Sequence, residues 1–172
     1  MFGISNDLHL VEDSKLINIV SQLLMVEAPI HQDYVKTLIT QQLGIARIGN
    51  RIEYKFNELF ILGQRKGEWI NRDKFIWRHN QKIEKVRDRS HLTEKLRQIE
   101  WVSPEEIQLT LKEIVGQAGS IDKIELMKAA IQTLNGGVRL TEGIRYVVEK
   151  EVDQLVLGRV FTISDNIVKA KK

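Results

Sequence analysis

Two stretches of this sequence, roughly ninety residues apart, run through the same order of patterns, and that internal repeat limits the possible folds more than any other feature. Ala28-Pro29-Ile30 stands opposite Gly119-Ser120-Ile121. An apolar helical pattern precedes each, Leu16, Ile17, Ile19, Val20, Leu23, Leu24 in the first and Ile107, Leu109, Leu111, Ile114, Val115 in the second. A second pattern follows, Val35, Leu38, Ile39, Leu43 against Leu126, Ala129, Ala130, Leu134, with the i, i+3, i+4 spacing of one helix face. Gly44 and Asn135-Gly136-Gly137 are placed to end these helices, where a left-handed residue without a Cβ is favoured. A third helix is predicted to start within Arg47-Ile48-Gly49-Asn50-Arg51-Ile52 and within Arg139-Leu140-Thr141-Glu142-Gly143-Ile144. Its apolar faces are Ile52, Phe56, Leu59, Phe60 and Ile144, Val147, Val148, Val152, Leu155.

After each third helix the period drops to about two residues, the signature of a strand. Glu68-Trp69-Ile70 and Phe75-Ile76-Trp77 flank the polar Asn71-Arg72-Asp73-Lys74; Arg159 to Ile163 and Ile167-Val168 flank Ser164-Asp165-Asn166. Three helices followed by a hairpin, with a short apolar step at Ile30 and Ile121 to supply a third strand, describe a winged helix. The expected fold is therefore mainly α with small β-hairpins, an α+β tandem of two winged-helix-like units at residues 1–77 and 103–172. A basic connecting strap of residues 78–102 joins them. Ser103-Pro104-Glu105-Glu106 opens the second unit with an N-cap serine, a proline in the first turn and a glutamate three residues after the serine.

The chain has no cysteine, which removes disulfides, thiolate metal sites and cysteine nucleophiles together. His9, His31, His79 and His91 are scattered without ligand spacing, and no metal or cofactor is expected. Leu134-Asn135-Gly136-Gly137 lacks the Gly-Lys-Ser/Thr end of a phosphate-cradling loop, and no nucleophile elbow is present. The chain reads as a non-catalytic module without a small-molecule substrate. No apolar run reaches the roughly 18 residues of a membrane span. Met1 to Leu10 carries Asp7 and no basic n-region, so a cytoplasmic protein is expected.

Charge is unevenly spread. Residues 1–77 carry nine basic and nine acidic side chains; residues 78–97 carry seven and three. A polyanion would favour the first unit and the strap. Duplex DNA is the expected partner, approached by the third helix and the wing of the first unit. Arg47, Arg51 and Lys55 recur every four residues as a stripe offset from the Phe56 and Leu59 face, with Asn50 and Gln64 as candidates for base edges. Arg65 and Lys66 end the helix, Arg72 and Lys74 lie in the wing turn, and Lys82, Lys85, Arg87 and Arg89 extend the basic surface along the strap. The second unit's third helix mixes Arg139, Arg145 and Lys150 with Glu142, Glu149, Glu151 and Asp153, which suits packing or a protein partner better than phosphate. Trp69, Trp77 and Trp101 are expected in the core of the wing and between the units, with stacking on bases or on a partner as the alternative.

Val26-Glu27-Ala28-Pro29-Ile30-His31 and Leu43-Gly44-Ile45-Ala46-Arg47-Ile48-Gly49-Asn50-Arg51-Ile52 resemble an uncharacterised bacterial domain. Arg87-Asp88-Arg89-Ser90 and Val102-Ser103-Pro104-Glu105-Glu106-Ile107 extend the likeness. That domain lies at the C-terminus of large proteins that carry a superfamily 1 helicase region and a Vsr-like endonuclease region. The resemblance implies a nucleic-acid-processing setting and a helicase or nuclease partner, and it supplies no catalytic residues. The alternative function is protein–protein docking or dimerisation without DNA contact, since a fold does not dictate its use.

Overall fold

The computed structural model describes residues 8–136 and 141–171. It is mainly helical, with six α-helices and two small antiparallel sheets among the described residues. The chain divides into two compact units, Met1–Gln81 and Lys82–Lys172.

In the first unit a 3-10 turn at Leu8–Leu10 leads into α1 (Asp13–Glu27), β1 (Ile30–His31), α2 (Gln32–Gln42), α3 (Asn50–Arg65), β2 (Ile70–Arg72) and β3 (Phe75–Trp77). β3 is the central strand, pairing Ile76 with Ile30 on one side and Trp77 with Ile70 on the other. Leu16, Val20 and Leu24 of α1, Val35 and Ile39 of α2, and Phe56, Leu59 and Phe60 of α3 all turn inward and are buried. These are the positions that helical spacing assigns to one face. Gly44, at φ 68°, follows the C-cap of α2 in the left-handed conformation expected there.

The second unit has α4 (Pro104–Ala118), β4 (Ser120–Asp122), α5 (Lys123–Asn135), α6 (Glu142–Leu157), β5 (Phe161–Ser164) and β6 (Ile167–Ala170). Here β6 is central, between β4 and β5. Ser103 caps α4 through its side chain, with Pro104 in the first turn, and Gly136 ends α5 in the left-handed region. The expected cap residue Gly137, with Arg139 and Leu140, lies outside the described residues. Both hairpins turn through an aspartate with positive φ, Asp73 at 51° and Asp165 at 50°.

The basic stretch expected to connect the units divides between them. Residues through Gln81 go with the first unit and those from Lys82 onward with the second. Two 3-10 turns, Glu94–Leu96 and Ile99–Trp101, carry it into α4. Ile99 and Val102 are part of the second unit's core, and Val86 packs against it.

One aromatic residue roots each hairpin. Trp69 is fully buried, donates its Nε1 hydrogen to the Phe60 carbonyl at 3.1 Å, and lies across Gly63 of α3. A Cβ at Gly63 would stand 1.9 Å from Trp69 Cζ2, so only glycine fits. The matching positions of the second unit hold Leu155 and Phe161, both in its core. The larger aromatic thus goes with the smaller helix residue in one unit, and the smaller aromatic with the larger helix residue in the other. Gly63→Ala is expected to destabilise the first unit by about 1–3 kcal/mol through overpacking. Trp69→Phe costs stability alone but makes the alanine cheaper, and urea titration of the two singles and the double measures that coupling.

Candidate nucleic-acid interface

α3 begins at Asn50, so Arg47 lies in the segment before the helix and not on it. The four-residue stripe expected of Arg47, Arg51 and Lys55 is therefore not a helix stripe. Lys55 is only 19% exposed at its side chain and is held by the Asp13 carboxylate of α1. Gln64 accepts the Asn71 backbone N–H at 3.0 Å and so fastens the hairpin to the helix. What α3 presents to solvent is Asn50, Tyr54, Asn57 and Ile61, with Arg51, Glu58 and Arg65 beside them. Tyr54 donates its hydroxyl to Glu58 Oε1 at 2.8 Å. Tyr54, Asn57 and Ile61 are not among the residues expected at the interface, although they recur at helical spacing opposite Phe56, Leu59 and Phe60.

The remaining expected cations of this unit are exposed. Arg47, Arg51, Arg65, Lys66 and Lys74 make no ion pair among the described residues. Arg72 lies over the Trp77 ring, 4.9 Å from its centroid, which fixes its direction without neutralising it. Arg65 and Lys66 also meet the negative end of the α3 dipole. Trp69 and Trp77 are both buried, so neither offers a stacking surface, and Trp101 is half-buried in the second unit.

Between the start of α2, the middle of α3 and the hairpin turn lies a polar cleft of about 330 Å³, lined by His31, Gln32, Asp33, Lys36, Glu53, Asn57 and Lys74. Lys36 is buried and hydrogen-bonds to Glu53 and, at 3.0 Å, to Asp33. Burial alone would lower its pKa, but the bonds to Glu53 and Asp33 outweigh this and hold it above the ordinary value. His31 caps α2, its Nδ1 accepting the Asp33 N–H at 3.1 Å, and its ring meets Phe75 edge-on at a centroid distance of 5.0 Å. Burial is the main cause of a pKa lowered to about 4, with Lys74 and Lys36 adding to it and Asp33 opposing. His31 is neutral at pH 7, and the charges of Asp33, Lys36, Glu53 and Lys74 cancel. Arg51, Arg65, Lys66 and Arg72 lie outside that lining and are exposed.

On the strap, Lys85 is exposed, but Arg87 and Arg89 are not free for phosphate. Both guanidinium groups bond to Glu106, Arg89 at 2.8 and 2.7 Å and Arg87 at 3.2 Å, and Glu106 also accepts the Arg87 backbone N–H at 2.7 Å. Burial would raise the Glu106 pKa, but these bonds and the two positive charges prevail and hold it below the usual carboxylate range. Glu106, read from the sequence as a helix-capping acid, is thus the buried counter-ion that fixes the strap to the second unit.

Three of the four acids of α6, Glu149, Glu151 and Asp153, have partners. Lys123 bonds Glu149 at 2.8 Å and Asp153 at 3.3 Å, Arg145 pairs with Glu149 at 3.5 Å, and buried Glu151 accepts from Gln108 at 2.7 Å. With Arg145 and Lys150 against four acids, α6 itself is net acidic.

Residues 6–54 match the model of a family described as a protein of unknown function, DUF3320. The matched segment runs from before α1 into the first turn of α3, and it contains the Pro29-Ile30-His31 step and the Arg47 to Ile52 segment. Neither a curated protein nor a solved structure matches the chain. Among the described residues no three His, Asp or Glu side chains are grouped to hold a metal, and no helix is long and apolar enough to cross a membrane.

The buried His31 makes the first unit sensitive to acid. An unfolded histidine titrates near pH 6.5 and the folded one near 4, so between those values the unfolded chain binds more protons. Stability is fully present above pH 6.5 and falls as pH drops toward 4, by about 3 kcal/mol in all. His31→Asn, which keeps an N-cap acceptor, is expected to remove that dependence in urea titrations at pH 7, 5.5 and 4.5.

Proposed function

We propose that this chain is a non-catalytic DNA-binding module, a tandem of two winged-helix-like units in which the first unit contacts duplex DNA. The observation that carries this reading is the set of unpaired, exposed cations on α3 and its hairpin. Arg51 and Arg65 lie on the helix, Lys66 at its end, and Arg72 and Lys74 at the turn of the hairpin whose root is bonded to that same helix. Helix, hairpin and central third strand in the order β1-β3-β2 are the arrangement a winged helix uses to set one helix in a groove and a wing on the backbone. Asn50 and Asn57 stand on the exposed face with groups able to meet base edges.

Glu58 and the neutral cleft limit how much phosphate this surface attracts. The affinity is therefore weak, steeply dependent on salt and only slightly selective for sequence. Arg87 and Arg89 drop out of the interface and Lys55 holds α1, so the binding set reduces to Arg47, Asn50, Arg51, Arg65, Lys66, Arg72 and Lys74, with Lys85 at the margin. In this reading the module holds a helicase or nuclease partner on duplex DNA inside a cell, the setting implied by the bacterial domain that the sequence resembles.

Fluorescence anisotropy with a random-sequence duplex tests it. Binding at low salt should fall steeply as salt is added, and Arg51→Glu, Arg65→Glu and Lys74→Glu together should weaken it at least tenfold. The slope against salt should fall by about one for each phosphate that the variant no longer neutralises. Binding that ignores these three charges would remove α3 and its hairpin from the interface.

A further inference from the structure

α6 carries a second surface that DNA binding does not use. Tyr146, Lys150, Asp153 and Leu157 are all exposed and follow one another at intervals of four, three and four residues. That is the spacing of a heptad seam, opposite the buried Val148, Val152 and Leu155. Tyr146 is 71% exposed and Leu157 75%, large values for apolar side chains on a helix with a complete core beneath it. Neither Tyr146 nor Lys150 has a partner among the described residues. Asp153 bonds Lys123 through Oδ1 only, and its side chain remains 58% exposed.

The stripe reads apolar, cation, anion, apolar, so it is its own complement when reversed. We infer that α6 is the interface of a homodimer, in which two copies of this chain lay their α6 stripes antiparallel across a two-fold axis between Lys150 and Asp153. A two-fold contact requires that if one residue meets another, the second meets the first, and this stripe satisfies that at every position. Tyr146 of each copy covers Leu157 of the other, and Lys150 of each faces Asp153 of the other. Parallel pairing sets lysine on lysine and aspartate on aspartate, and it also aligns the helix dipoles unfavourably.

The matching stripe of the first unit, Tyr54, Glu58, Ile61 and Arg65, fails the same test. Reversed on itself it buries Glu58 against Ile61 without a counter-charge. Self-complementarity belongs to α6 alone of the two third helices. One helix pair covers less than the roughly 1,600 Å² of a standard interface, so the dimer is weak and its ion pairs make it weaker in high salt. This inference does not depend on DNA binding by the first unit.

Sedimentation equilibrium of the full 172-residue chain up to hundreds of micromolar tests it directly. The expected result is a reversible monomer–dimer equilibrium. Lys150→Asp and Asp153→Lys should each weaken it at least tenfold by setting like charges across the axis, and the two together should restore it. Leu157→Glu, at an exposed position that leaves the core alone, should also abolish it, and circular dichroism checks that every variant stays folded. A chain that is monomeric throughout overturns the inference. So does a dimer that ignores the single reversals, or one that the double reversal fails to restore.

Discussion

The contact of Trp69 with Gly63 sets the geometry on which the rest of the first unit depends. The indole fills the space that any Cβ on the helix would occupy, and its N–H is bonded to the Phe60 carbonyl of the same helix. Asn71 adds a second bond to that carbonyl at 2.9 Å. With the root of the hairpin fixed to the last turns of α3, the turn at Asp73-Lys74 has one place to go, beside the middle of the helix. There Lys74 joins Glu53 and Asn57 in lining the cleft. Apolar packing thus sets where the hairpin turn, with Lys74, lies against the helix.

The two units put different chemistry on matching positions of their third helices. Tyr54 corresponds to Tyr146, Glu58 to Lys150, Ile61 to Asp153 and Arg65 to Leu157. The inward residues keep their apolar character in both, apart from Leu59, which corresponds to the buried Glu151 and its Gln108 partner. Burial constrains the inner face and leaves the outer face free to vary. That freedom lets one unit carry unpaired arginines and lysines while the other pairs Glu149 and Asp153 with Lys123 and Arg145 and exposes Tyr146, Lys150 and Leu157.

Much of this is legible in the sequence. The helices announce themselves through apolar residues at helical spacing, and their ends through Gly44, Gly136 and the Ser103-Pro104 start, because burial and capping act over a few residues. The candidate interface is less legible for a physical reason. Whether a charge is free depends on what lies opposite it in space, and periodicity says nothing about that. Lys55 looks like Arg51 along the chain until α1 brings Asp13 to it. Arg87 and Arg89 look like a solvated basic run until Glu106, nineteen and seventeen residues on, is found buried between them. Arg47 has the spacing of a helix whose start, at Asn50, lies three residues further along. The cleft around His31 joins residues from four elements and has no linear signature at all.

The proposed division of labour gives nucleic acid to the first unit and keeps α6 for protein. Backbone amide shifts of the labelled chain, followed by NMR during titration with a short duplex at low salt, test it most directly. The account predicts shifts concentrated at Asn50–Arg65 and across Ile70 to Trp77, with Glu142–Leu157 unmoved. Shifts concentrated on α6, or none on α3 while the duplex is bound, would contradict it.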